Sequence, residues 1–392
     1  MTTHSILSPK AYALTDQLIA IRRQLHQHPE VSHEEIQTTA SIRGWLGQAN
    51  IRILDVPLAT GVIAEVGGQR GGPIIALRAD IDALPIHEET EFEFSSQIAG
   101  TMHACGHDYH TASLLGAAFL LKEQEEELQG TVRFIFQPAE EKAEGAELVI
   151  QSGALEGVQA IFGLHNKPDL PVGTIGIRSG PLMAGADGFV IEVEGTGTHA
   201  AVPQSGNDPI VAASHIITAL QSIVSRNVNS LQSAVVSVTR FHSGTAWNII
   251  PDKAVLDGTI RTFEETVREK VLARFEEIVQ GVSSAFGTQA ELRWLQGPPP
   301  VHNDALLEPL VREAAQLAGL TVVLPDPTSA GEDFAFYQKQ IPGFFVFMGT
   351  SGSHEWHHPS FDLNEDALAP SASYFAALAE LALNSFSDNI SD

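Results

Sequence analysis

Apolar residues recur at helical spacing near the start of the chain, at Leu14, Leu18, Ile21 and Leu25. Ser8-Pro9 ahead of them, a capping hydroxyl then proline at the first helical position, predicts a helix start, and Pro29 closes the segment. A second helix is predicted over 34–48. Unbroken apolar runs at 61–66 and 74–78 read as buried strands. A helix over about 110–122, a strand at 131–137, a helix at 143–152 and a strand at 160–165 follow. Strands alternating with helices imply an α/β layer with a mainly parallel sheet. Around Gly180 the pattern changes. Strand 189–194, helix 209–225, strands 234–241 and 254–260, helix 265–285 and strand 289–295 form a β-α-β-β-α-β order, the split ferredoxin-like unit. Gly297-Pro298-Pro299-Pro300 reads as a stiff linker, after which a helix near 305–318, a strand at 343–348 and a closing helix over 366–384 resume the α/β pattern. The expected domains are a catalytic part over 1–182 and 298–392, with a small domain over 183–297 inserted between.

Composition narrows the class. With 392 residues, 43% hydrophobic and 18% charged, the chain reads as an ordinary globular protein too long for a single core. Its formal net charge of −26 opposes nucleic-acid binding. One cysteine rules out an intrachain disulfide framework and leaves Cys105 available as a ligand. No basic, apolar leader opens the sequence and no apolar run approaches a membrane span, so the expected location is cytoplasmic.

Four clusters carry candidate chemistry, each at the end of a predicted strand or in a neighbouring loop, where α/β sheets place their sites. In Arg78-Ala79-Asp80-Ile81-Asp82 the carboxylates can cap a helix or pair with Arg78; alternatively Asp80 orients a ligating histidine. In Met102-His103-Ala104-Cys105-Gly106-His107-Asp108, a thiolate and an imidazole two residues apart, hinged on glycine, can converge on a borderline-soft divalent metal. In Gln137-Pro138-Ala139-Glu140-Glu141, two adjacent carboxylates repel unless one binds metal, which leaves the other to move protons. The fourth cluster combines His165 with His357-His358-Pro359. Cys105, His107, Glu141, His165 and one of His357 or His358 exceed a single tetrahedral zinc site, and a metal pair sharing one ligand accounts for them better.

These motifs resemble the metallopeptidase family of glutamate carboxypeptidase and the aminoacylases, and within it the amidohydrolase branch. That branch holds hippurate hydrolases, bacterial aminoacylases, N-acetyldiaminopimelate deacetylases and plant indole-acetyl-amino-acid hydrolases. The similarity runs from Arg22-Arg23 with His26-His28-Pro29-Glu30, through Arg78–Pro85, His103–Asp108, Pro138–Glu141 and Gly163-Leu164-His165, to Gly195–Pro203, Asp208-Pro209-Ile210 and Asn248–Asp252. It ends with Gly331-Glu332-Asp333-Phe334 and His357–Phe361. The resemblance implies a zinc-peptidase-like α/β catalytic domain, with the inserted domain as lid and dimerisation domain. It implies that Cys105 bridges two metals, His107 and His165 holding one, Glu141 and His357 the other. Glu140 becomes the general base. His199 becomes a lid histidine that stabilises the oxyanion in a partner's site, and Asn248, Arg261 and Gly331 line the substrate pocket. Arg261 can also simply pair with a nearby acid, and Gly331 can simply serve a turn.

The implied activity is metal-assisted hydrolysis of N-acyl amino acids, in a homodimer with two Zn²⁺ or Mn²⁺ ions per subunit, Co²⁺ or Ni²⁺ also suiting the ligands. Neither nucleic acid nor membrane is an expected partner. Two rivals are an exopeptidase acting on dipeptides and a relative that binds metal without turnover.

Overall fold

The computed structural model describes residues 7–388. They form two compact units. One takes the chain up to Gly180, then Asn303–Asp326, then Phe336 onward; the other takes Pro181–His302 and Pro327–Ala335.

The first unit is built on an eight-stranded sheet in the order Arg52–Ile53, Val62–Gly67, Thr131–Gln137, Ile74–Asp80, Val158–Lys167, Gly343–Gly349, Thr174–Gly176, Thr321–Val323. The four middle strands run parallel, and antiparallel pairs flank them. Parallel strands are covered on both faces, which is why Thr131–Gln137 and Gly343–Gly349 are buried at every position, the second reading in the sequence as a solid apolar run. Helices Thr15–Gln27, His107–Lys122 and Leu368–Asp388 pack on one another, and the last two also pack on strand Ile74–Asp80. Leu18 meets Gly116, which in turn abuts Ala372, so three helices approach closely where a larger residue would not fit. The first helix begins at Leu7, one residue before the predicted Ser8-Pro9 start, and is interrupted at Leu14 before Thr15–Gln27.

The second unit has a four-stranded sheet ordered Ala234–Ser243, Lys253–Thr262, Gly185–Glu194, Gln289–Leu295, every neighbouring pair antiparallel. Helices Pro209–Ser222 and Glu265–Ala285 close its core through Phe189, Ile216, Leu256 and Phe275. This is the split β-α-β-β-α-β arrangement. Pro209 opens its helix with Asp208 as the cap, whose carboxylate accepts the Ile210 and Val211 N–H groups. A short antiparallel two-stranded ribbon pairs Thr198–His199 with Ile249–Ile250.

Two boundaries differ from expectation. Pro298, Pro299 and Pro300 are buried, and Ala186 N–H donates to the Pro298 carbonyl (3.0 Å), so this stretch is packed structure and no loose linker. Residues 327–335 also belong to the second unit, because the Thr328 and Ala330 carbonyls accept from Ala184 N–H (3.0 and 3.1 Å). Among the described residues no helix is long and apolar enough to cross a membrane.

Candidate metal centre

The ends of three parallel strands and one late loop bring the sulfur, imidazole and carboxylate donors together in the first unit. Ile74–Asp80 ends at the first carboxylate, Thr131–Gln137 leads into the turn Glu140–Lys142, and His165 lies inside Val158–Lys167. Cys105 and His107 flank Gly106, a left-handed residue (φ 84°) ahead of the helix that begins at His107. A Cβ on Gly106 would stand 2.5 Å from the Asn166 amide nitrogen, so glycine is required both for the turn and for the approach. His357 follows strand Gly343–Gly349. Its N–H donates to the Ala104 carbonyl (2.8 Å), which ties the late loop to the cysteine loop.

Two donor triads share Cys105. One ligand atom from each of Cys105, His107 and His165 lies within 4.8 Å of the others, and the same holds for Cys105, Glu141 and His357. His165 Nε2 is 3.5 Å from the Cys105 sulfur, and His357 Nε2 is 3.3 Å from Glu141 Oε1. His358 turns elsewhere, accepting from Ser360 N–H (3.0 Å) and stacking on His354. Glu140 lies beside this set, a carboxylate oxygen within 4.8 Å of donor atoms of His107 and Glu141.

The residues fit a pair of divalent cations. His107 Nε2 and Glu141 Oε1 are both buried with no hydrogen-bond partner, which is costly for polar atoms unless a cation takes their lone pairs. His165 is neutral: burial, then His110 and His107, push its pKa well below the usual range, and its Nδ1–H donates to the Asn166 carbonyl (2.8 Å), leaving Nε2 bare toward the sulfur. Burial also opposes charge on His107, but Asp80, Asp82 and Glu141 overcome it and raise its pKa to about 10. The carboxylate field that would hold a proton there favours a metal cation in the same place. Thiolate, imidazole and carboxylate donors together suit borderline metals, two per subunit.

The surrounding groups depart from expectation at Asp80. Its Oδ1 accepts from His110 Nδ1 and its Oδ2 pairs with Arg78, both at 2.6 Å, while His107 Nε2 stands 3.8 Å away. Asp82 instead holds the His107 ring: His107 Nδ1 meets the Asp82 carbonyl at 2.9 Å and its carboxylate at 3.2 Å. The cause is that the strand stops at Asp80. Beyond it the chain turns out of the sheet, so Asp82 lands among Ser32 Oγ, Glu141 N–H and His107. Both aspartates stay ionised: burial opposes the charge, and the facing histidines with Arg78 or Ser32 outweigh it.

Sequence reasoning missed His110, Asn166 and Glu35. His110 sits three residues after His107 and stacks on it (5.4 Å between ring centroids), a helical spacing that was available as a signal. Glu35 is buried and accepts from Thr60 Oγ1 and Ala139 N–H, both at 2.8 Å. It thereby holds Ala139 in a left-handed conformation (φ 51°) just before Glu140. No periodicity advertises such a contact.

The remaining candidates lie in the second unit. His199 is exposed in the short two-stranded ribbon, its Nδ1 accepting from Ala201 N–H (3.0 Å). The Asn248 carbonyl accepts from Ala200 N–H (3.1 Å). Arg261 donates to the Ser329 and Ile260 carbonyls (3.1 and 3.0 Å) and to Thr259, while the nearby acid Asp187 is occupied by Arg268. Gly331 has no left-handed backbone; a Cβ there would come within 3.1 Å of Ala186 and Pro298 side chains, so close packing explains it better than a turn.

Relatives match the chain over nearly its whole length. An N-acetylcysteine deacetylase of Bacillus subtilis is 55% identical over 372 residues, spanning 95% of this chain and 98% of that protein. An IAA-amino acid hydrolase of Arabidopsis thaliana is 40% identical over 375 residues, 93% of this chain and 85% of the relative. The crystal structure of a dinuclear metal-binding peptidase of the M20 family from Bacillus subtilis superposes with a TM-score of 0.86 at 51% identity, over 95% of this chain and 99% of the other. Residues 76–381, which include both donor triads and the whole second unit, match peptidase family M20/M25/M40, and the chain belongs to that family.

Proposed function

We propose that the protein hydrolyses the amide bond of N-acyl amino acids, N-acetyl, N-benzoyl or related, to a carboxylate and a free amino acid. The chain is an amide hydrolase of its family, and the observation that carries the narrower reading is a carboxylate, Glu140, standing beside two donor triads that share Cys105. Two bound divalent ions, Zn²⁺ or Mn²⁺, supply Lewis acidity toward a carbonyl and lower the pKa of water. Cys105, His107 and His165 hold one ion; Cys105, Glu141 and His357 hold the other. Glu140 takes the proton of the attacking water and hands it to the departing nitrogen. Asp82 keeps the His107 ring in one tautomer, and Asp80 braces His110 behind it.

The second unit serves as the lid and dimerisation domain of a cytoplasmic homodimer. His199 stabilises the oxyanion in the partner's site, and Asn248 and Arg261 receive the substrate carboxylate beside Gly331. An exopeptidase reading is favoured by one observation, the peptidase designation of the similar crystal structure.

Metal-stripped protein reloaded with Zn²⁺ or Mn²⁺ and offered N-acetyl and N-benzoyl amino acids beside dipeptides separates the readings. Metal-dependent turnover of the acyl amino acids is expected to exceed that of dipeptides. Faster dipeptide cleavage supports the exopeptidase, and a fully loaded but inert protein supports a binding role.

A further inference from the structure

We propose that Asn166 is a positioning residue that holds the two halves of the metal centre at one spacing, an inference that rests on the ligand set above. Asn166 is fully buried directly after His165, and its polar groups reach the Cys105 loop, Trp356, His165 and His110, the last through both the backbone N–H and Nδ2 (3.1 Å). Its side-chain Nδ2 donates to the Cys105 carbonyl (2.5 Å), fixing the loop that carries the shared sulfur. Its Oδ1 accepts from the Trp356 indole N–H (3.2 Å), the residue next to His357. Its backbone N–H donates to His110 Nε2 (2.9 Å), on the helix that opens with His107. Its carbonyl accepts from His165 Nδ1 (2.8 Å), which leaves the other ring nitrogen for metal.

A carboxamide is the side chain this place needs, a donor at one end and an acceptor at the other. A carboxylate would set a negative oxygen against the Cys105 carbonyl, and an apolar residue would orphan both buried partners. Trp356 completes the coupling: its ring lies edge-on to His165 at 4.6 Å, with the Lys167 ammonium 5.0 Å from the ring centroid. A single amide thus joins the loop of the shared ligand to the loop of the last one. Gly106 is the counterpart of this arrangement, since any side chain there would collide with the amide nitrogen.

Titration of metal-stripped wild type, Asn166→Ala, Asn166→Asp and Trp356→Phe with Co²⁺ tests this, reading the equivalents bound and the thiolate-to-cobalt charge-transfer band. Wild type is expected to bind two equivalents. Asn166→Ala and Asn166→Asp are expected to bind cobalt about 10–100-fold more weakly with a displaced band, and Trp356→Phe to show a smaller change of the same kind. A merely structural role would lower the melting temperature and leave the band of the folded, loaded protein in place. Folded Asn166→Ala with wild-type affinity and spectrum overturns the inference. Should Asn166→Ala fail to fold, an unchanged band and affinity in Trp356→Phe overturns it instead. Wild type that takes up no cobalt overturns the ligand set, and this inference with it.

Discussion

The two sheets of this protein present their residues in opposite ways. Strands Thr131–Gln137 and Gly343–Gly349 of the eight-stranded sheet have no exposed position, whereas Gln289–Leu295 in the four-stranded sheet alternates exposed and half-buried along its length. A buried parallel strand is held from both faces, so a side chain at its end has one position available. A strand with one wet face fixes only half its residues. Of the candidate donors, His165 lies in a strand of the first kind and is buried beside His107, which opens a buried helix. His199 belongs to the second unit and is exposed. Histidines in the first setting have their protonation imposed by buried neighbours; His199 in the second presents its ring to solvent.

That contrast is open to experiment. Replacing one carboxylate at the end of a buried strand should remove chemistry without removing structure. Glu140→Gln is expected to keep both metals and the wild-type melting temperature while kcat falls about 10²–10⁴-fold, read from metal analysis and steady-state rates. Near-wild-type turnover would take Glu140 out of the reaction. Next, truncations should cost far more in the sheet buried on both faces than at an exposed position of the other sheet. Phe134→Ala, in a strand buried on both faces, is expected to cost about 3–5 kcal/mol in urea unfolding. Leu295→Ala, 47% exposed in the other sheet, should cost about 0.5 kcal/mol. Similar losses would erase the distinction.

The smallest effect concerns Glu88, at the edge of the first unit. Burial pushes its pKa up, but His26 (3.3 Å), Thr90 and Ser96 N–H (2.6 Å) outweigh that and hold it at about 2. Since this lies below the ordinary 4.5, the stabilisation is complete above about pH 4.5 and is lost as the pH falls through 2. Glu88→Gln should therefore lose melting temperature less steeply than wild type from about pH 5 to pH 2. Parallel curves would show that the group contributes nothing.

Much of the fold was legible because long elements carry a period. Strands Thr131–Gln137 and Gln289–Leu295 and helix Glu265–Ala285 fall where their patterns predict. Strands of two or three residues, such as Arg52–Ile53, Thr174–Gly176 and Thr321–Val323, are too short to show alternation and exist only because a neighbour pairs with them. At the centre, the clustering of the candidate donors was readable, and the fold brings Cys105, His107, Glu141, His165 and His357 close together. Their supports were not readable. Whether Asp80 or Asp82 faces His107 depends on where the strand lets go, and Glu35 reaches Ala139 across more than a hundred residues of chain.

The order of the strands has a consequence for biosynthesis. Gly343–Gly349 lies between Val158–Lys167 and Thr174–Gly176 in the middle of the sheet, and His357 follows it. Until the ribosome has delivered that segment, the nascent polypeptide has a gap where its central ribbon belongs, and Cys105, His107, Glu141 and His165 wait without His357. Contacts this distant along the chain form late and slowly. His357 is therefore the last of the candidate donors to join the others.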